Sequence, residues 1–385
     1  MGIVTLGSTR PESTRVEPLH DGVTDDVQQD FLGPTCGDIV PVLNVDALIK
    51  NRVQALKDYH EATGLARAEL DLSGGIDSAV MAGLLVLSLG PDALTLVYSS
   101  INSGSTTQTR ARHLADALGV KLVVHDLTPT YEAMVSDMKN NLAAAGFDPQ
   151  DIDQRIASDN TILGSIRSCL RAPLGRGYLR MTGPGLRHGT GNECEDRWLR
   201  FYQKGGDGEV DTNPIAMLAK GEVFQLARGL GEALSAQEAY GNIITAPPTP
   251  ELWGAEVAHT DEDEIGAYLG LSGCGHTFYS YIDPATGDYT RVGLIERVAR
   301  FADTADGARL FDTSLDDSTL QTVIQAAHTS QAFSGVSPDV ISKMLRAARR
   351  AERITRHKFN PNCPTLGERP SLCESGILSD TLPSV

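Results

Sequence analysis

The 385-residue chain has few thiols, little positive charge and no long apolar run. Its six cysteines (Cys36, Cys169, Cys194, Cys274, Cys363, Cys373) are scattered and make no CxxC pair. That spacing indicates neither a disulfide framework nor a zinc site, and a reducing cytoplasm is the simplest home. Lys and Arg number 33 against 50 Asp and Glu, a formal net charge of -17. General binding to nucleic acid or to an anionic membrane needs a positive field, so both are excluded, although a local basic pocket for phosphates is not. The longest apolar run, around Val80–Leu89, is far short of the roughly 18 residues that a membrane span requires. The N-terminus lacks the basic, apolar, small-residue order of a signal peptide. These absences together predict a cytoplasmic protein.

Apolar residues make up 41% of the chain and charged residues 22%, which supplies enough material for a sizeable core. The length allows about 2.6 domains at roughly 150 residues each, so one large domain with additions fits as well as two. The 38 glycines exceed the usual share of about 7%, as suits the tight turns of an α/β nucleotide-binding protein.

Residues 1–44 are rich in Pro, Gly, Thr and Asp without periodicity and read as an N-terminal arm. Val45, Leu48, Ile49, Val53 and Leu56 then recur at helical spacing, with Gly64 as the stop. A strand over Ala68–Leu72 is followed by a helix after Asp77, an apolar run Ala93–Tyr98, a helix near Thr107–Leu118 and a strand Lys121–Asp126. Strands alternating with helices predict βαβ units and a parallel sheet flanked by helices. Helical patterns dominate 129–172, a short strand ends near His188, and a helix spans about Ile215–Leu230, closed by Gly231. A hairpin is expected in Gly273–Arg291, turning at Pro284–Gly287, with helices over 292–303 and 338–355.

Between the first strand and its helix stands Ser73-Gly74-Gly75-Ile76-Asp77-Ser78. A Gly pair there turns successive N–H groups inward, so an anion meets the helix N-terminus. The spacing matches neither a Walker loop nor a dinucleotide GxGxxG. As a plain helix cap the segment would also be unremarked, since Ser and Asp cap helices well; its place after an apolar strand favours a phosphate cradle.

SGGxDS resembles the signature of the PP-loop ATP pyrophosphatases. Downstream stand Gly189-Thr190-Gly191-Asn192-Glu193-Cys194-Glu195, then Phe201 to Asp211, then Asn213-Pro214 and Lys220-Gly221-Glu222-Val223. Further on come Pro247-Pro248-Thr249-Pro250-Glu251-Leu252, His259 to Gly266, and Arg356-His357-Lys358. In order and spacing these blocks are similar to those of the ammonia-dependent NAD synthetase family, over roughly 45–270 plus the stretch near 357. The resemblance implies a Rossmann-like fold of the adenine nucleotide α-hydrolase type, with a C-terminal helical extension. It divides the chain into an arm (1–44), a catalytic domain (45–272), a divergent insertion (273–337) and a C-terminal helix and tail (338–385).

The activity implied is ATP-dependent amide formation. A carboxylate, by default that of deamido-NAD, attacks the ATP α-phosphate and releases pyrophosphate, and ammonia then displaces AMP. ATP and Mg2+ are the cofactors implied, and a homodimer the assembly. The remaining length holds no glutaminase portion, so free ammonia or a separate donor is expected. By the same resemblance Ser73, Gly74, Gly75, Asp77 and Ser78 hold pyrophosphate, and Asp77 and Glu195 take the metal. Lys220 and Thr249 contact polyphosphate, and Asp207 sits near the reacting centre to orient ammonia or accept its proton. Phe201, Lys204, Asp211, Arg167, His357 and Lys358 are the substrate contacts.

Three departures bear on the substrate. The family's N-x-x-A-R-x-R run appears as Asn160 to Arg167 with one extra residue and Ser165 in place of the first arginine, which predicts altered recognition. The KYGDGG segment reads Lys204-Gly205-Gly206-Asp207-Gly208-Glu209, with an added carboxylate that needs a partner. The stretch after Gly273 has no counterpart. A relative acting on another carboxylic acid is therefore the rival reading. A PP-loop sulfurtransferase is disfavoured because Cys194 has no partner thiol, and an inactive nucleotide-binding module is disfavoured by Asp77, Glu195, Lys220 and Thr249 standing together.

Overall fold

A computed structural model describes residues 44–246, 260–312, 316–358 and 367–379. The arm expected at 1–44 falls, but for Asn44, outside them.

Helix α1 (Val45–Thr63) starts at Asn44, whose side chain accepts from Ala47 N, and stops at Gly64 in the left-handed region. Strand β1 (Arg67–Asp71) follows, then α2 (Ile76–Leu89), β2 (Leu94–Ser100), α3 (Ser105–Leu118) and β3 (Leu122–Asp126). Three helices come next, α4 (Thr128–Ala144), α5 (Pro149–Ser158) and α6 (Asn160–Thr182), before β4 (Gly185–His188). The expected helical span over 129–172 is thus three helices, the last continuing past Pro173 to Gly183.

The four strands are parallel in the order β3-β2-β1-β4. The direction of winding reverses between β1 and β4, and in open parallel sheets the crevice at the carboxyl ends of the strands at that point is where ligands bind. Helix α2 is buried along most of its length and packs on β1 and β2, with α1 on its outer side, while α6 packs against β1, β2 and β4.

After β4 come a short helix α7 (Glu193–Asp196), α8 (Lys220–Ala233), α9 (Gln237–Ile244) and α10 (Asp261–Leu269). Helix α8 begins five residues later than the periodicity predicts and runs through Gly231. Ala219 is extended, and its N–H donates to the Glu222 carboxylate at 2.8 Å, which fixes the start; Ile215–Leu218 is a buried turn instead. Helix α10 opens on a reciprocal cap between Thr260 and Asp263, a start signal present in the sequence.

The hairpin is real but small: β5 (Tyr281–Ile282) pairs antiparallel with β6 (Tyr289–Arg291). It packs on α8 and leads into α11 (Leu294–Ala302), α12 (Asp317–Ala327) and α13 (Pro338–Thr355), and a terminal helix α14 spans Arg369–Glu374. Among the described residues no helix is long and apolar enough to cross a membrane.

Candidate active site

The loop after β1 is shaped by its glycines. Gly74 has φ +82, and a Cβ there would lie 2.4 Å from the Thr107 carbonyl oxygen, so α3 presses directly on the loop. Ser78 Oγ donates to the Gly75 carbonyl at 3.0 Å, Ser73 Oγ lies 3.1 Å from Ser78 Oγ, and Ser73 Oγ accepts from Gly75 N at 3.2 Å. Gly75 caps α2 without a side chain, leaving the first-turn N–H groups for an anion. Arg110 Nε, from α3, holds the Gly74 carbonyl at 3.1 Å.

Asp77, in the first turn of α2, meets the two other elements of the site. Lys220, the first residue of α8 and 3% exposed, donates from Nζ to Asp77 Oδ2 at 2.6 Å and to Glu195 Oε1 at 3.1 Å. Asn192, fully buried, donates to Asp77 Oδ1 at 2.9 Å and caps α7 by accepting from Glu195 N. The GTGN turn therefore fastens Glu195 to the SGGxDS loop. Lys220 also lies 5.4 Å from the ring centroid of Tyr279.

The electrostatics follow from crowding. Burial lowers the Lys220 pKa, but Asp77, Glu195 and Asp261 outweigh it and hold the ammonium protonated. Burial pushes Glu195 up, against the pull of Lys220, with Asp77 adding repulsion. Burial likewise raises Asp261 to about 7 and Glu264 to about 7. One lysine facing three carboxylates leaves this wall with surplus negative charge. Its hard oxygens are of the kind that Mg2+ prefers, so Asp77 and Glu195 are the pair that could hold a divalent ion, although among the described residues no group of three or more His, Cys, Asp or Glu side chains is placed to do so.

These groups line a cavity of about 640 Å3 at the carboxyl ends of β1 and β2. Across it, Asp207 Oδ1 accepts from Ser168 Oγ and Gln203 N, both at 2.7 Å. Phe201 lies on the wall, edge-on to Tyr268 at 5.7 Å. His357 and Lys358 also line it, and Lys358 Nζ donates to the carbonyls of Arg200 (3.2 Å) and Tyr202 (2.7 Å), tying down the 200–203 loop. Ser73, Gly74, Gly75, Asp77, Glu195, Phe201, Asp207, Lys220, His357 and Lys358 thus share one cavity, with Ser78 bonded just beneath its floor.

Three expected substrate contacts are elsewhere. Arg167 is buried over the Tyr131 ring at 5.3 Å, because its place on α6 turns it toward α4. Lys204 is exposed outside the cavity wall. Asp211 accepts from Arg187 N at 2.8 Å and pairs with Arg176 at 3.3 Å, which ties it to β4. Arg176 also meets Glu209 at 3.4 Å, so the added carboxylate has its partner. Thr249 lies outside the described residues. Sequence reasoning missed Asp261, Glu264, Arg110, Ser168 and Tyr279 on the cavity wall. Asp261 and Glu264 stood in a recognised block; the others have no local signal.

A parallel sheet with an SGGxDS loop at the carboxyl end of β1, closed by an acidic pair and a lysine, defines a nucleotide-binding α/β enzyme of the PP-loop class. The family model for NAD synthase matches residues 48–274. The chain belongs to the NAD synthase family, whose members are carbon–nitrogen ligases. It is 33% identical over 219 residues to the NH(3)-dependent NAD(+) synthetase of Halobacterium salinarum, covering 56% of this chain and 72% of that one. To the enzyme of the same description from Methanocaldococcus jannaschii it is 28% identical over 223 residues, covering 58% and 76%. Among solved structures, NMN synthetase from Francisella tularensis has the same fold, with TM-score 0.53, 21% identity, and coverage of 83% of this chain and 99% of that one.

Proposed function

We propose that the protein adenylates the carboxylate of deamido-NAD with ATP and transfers ammonia to it, releasing pyrophosphate and AMP and forming NAD. The observation that carries this reading is Lys220, held between Asp77 of the phosphate loop and Glu195, across one cavity from Asp207. The loop N–H groups and Lys220 bind the β- and γ-phosphates that leave as pyrophosphate. The substrate carboxylate oxygen attacks the α-phosphorus as the bond to the bridging oxygen breaks, giving an acyl-adenylate. Ammonia then forms the C–N bond, AMP leaves, and Asp207 takes the proton lost by nitrogen. Positioning and charge neutralisation supply the acceleration, since no covalent enzyme intermediate is needed. Asp77 and Glu195 would hold Mg2+, which supplies positive charge to the polyphosphate.

Supplying Mg-ATP, ammonium and deamido-NAD should yield NAD, AMP and pyrophosphate in equal amounts; ADP and phosphate would sink the mechanism. Asp77→Ala and Glu195→Ala should each lower kcat by at least about 100-fold. A different acid remains the second reading because Ser165, where a guanidinium is expected, donates to Gln203 Oε1 at 3.0 Å and presents a neutral pair. Pyrophosphate exchange with a panel of carboxylic acids, nicotinic acid mononucleotide included, decides between the two.

We also infer a homodimer. Met134, Met138, Leu142, Phe147 and Ile162 on and around α4–α6 are exposed, and this apolar face holds a groove of about 450 Å3. Such a patch marks an interaction site.

A further inference from the structure

Lys220 stands on the first turn of α8, and that turn is held from behind by residues beyond the family-matched stretch. Arg369, on the terminal helix and 7% exposed, grips both oxygens of Glu222, at 2.6 and 2.7 Å. Glu222 is itself the residue whose carboxylate accepts the Ala219 N–H and so starts α8 one residue before Lys220. Arg369 also donates to Met217 O at 3.3 Å, on the turn leading into the helix, and to Ser379 O at 2.6 Å. The turn is joined to the neighbouring element through Glu193 N, which donates to Leu218 O at 2.8 Å, and Lys220 N, which donates to Cys194 Sγ at 3.4 Å. The hairpin leaves it no room to slide: a Cβ on Gly221 would lie 2.1 Å from the Tyr289 ring.

We propose that Arg369 is a positioning residue for the reaction, acting through Glu222 to fix the first turn of α8 and so aim Lys220 at Asp77, Glu195 and the bound polyphosphate. A two-pronged guanidinium–carboxylate pair has one geometry, and here that geometry sets where a helix begins. Lysine in its place keeps the charge but not the fork. The inference rests on the proposed contact of Lys220 with MgATP.

The test compares full-length wild type, Arg369→Met, Arg369→Lys and Glu222→Gln. MgATP affinity is read by calorimetry, kcat and KM for each substrate by AMP release, and folded fraction by near-ultraviolet circular dichroism. Arg369→Met should bind MgATP roughly tenfold more weakly and lose about 100-fold in kcat per folded molecule, with the KM of the acid within about twofold of wild type. Added guanidinium ion should restore part of that loss, and Arg369→Lys should fall between. Unchanged MgATP affinity and kcat per folded molecule overturn the proposal, as does a rise in acid KM equal to that for ATP. Should Arg369→Met fail to fold, Arg369→Lys and Glu222→Gln decide on the same readouts. If wild type binds MgATP but releases no AMP with any acid, the functional reading fails by itself, and the affinity comparison still judges Arg369.

Discussion

Gly74 concentrates the demands on the SGGxDS loop in one residue. Its positive φ disfavours any side chain, and the neighbour that a Cβ would meet is the backbone of α3 rather than a flexible tip. Gly74→Ala should therefore cost about 1–3 kcal/mol in stability and weaken ATP binding at least tenfold, measured by urea unfolding and calorimetry; wild-type affinity would show that the loop relaxes freely. At Lys220 the issue is charge. Lys220→Met leaves Asp77, Glu195 and Asp261 facing one another without a cation, so the raised pKa values of Glu195 and Asp261 should rise further and kcat should fall by about 100-fold or more. Normal turnover in that variant would remove Lys220 from the chemistry.

Between elements, a histidine pair joins α1 to the end of β4. His60 Nδ1 lies 2.5 Å from Leu65 O, His60 Nε2 lies 3.0 Å from His188 Nε2, and His188 Nδ1 lies 2.6 Å from Thr212 Oγ1. One consistent proton assignment has both rings neutral, each donating in one direction along the chain. Burial, with repulsion from His60 second, pushes His188 down to about 3, and burial lowers His60 too. Because the unfolded chain takes up protons below about pH 6.5 and the folded pair does not, this contact's stability is complete above that pH. For His188 it is lost as pH falls toward 3, by up to about 1.4 kcal/mol per pH unit, and His60 acts in the same direction. Buried carboxylates act in the opposite sense: burial and Asp71 raise Glu69 to about 8, and burial raises Glu296 to about 7. The histidine contribution is therefore read as a difference: unfolding free energy of wild type minus His188→Gln should grow with pH between 4 and 6.5 and then level off. A flat difference would mean that the pair titrates normally.

For the whole molecule, the net charge of -17 is carried by the surface and shared by the cavity, whose anionic wall is balanced by few cations. The apolar face of α4–α6 is the exception on that surface. Sedimentation of the full chain should give a particle of twice the chain mass, and Phe147→Asp together with Met138→Asp should shift it to the monomer; a monomeric wild type would remove the dimer.

What the sequence by itself determined is what short motifs and regular apolar spacing carry. The SGGxDS loop, the stop at Gly64, the alternation that makes a parallel sheet and the GTGN turn depend on local backbone chemistry, so they were legible in order. The start of α8 was not, because its apolar spacing extends back to Ile215 while the deciding contact is a carboxylate turning back to Ala219. Nor were the positions of Arg167, Lys204 and Asp211, since a place in a recognised block does not say which way a helix face or loop turns. Only the tertiary structure decided that Asp77, Glu195 and Lys220 meet, that Asp261 and Tyr279 join them, and that Arg369 reaches Glu222 across 147 positions. The physical reason is that strand order and layer packing, rather than distance along the chain, set which side chains face one cavity.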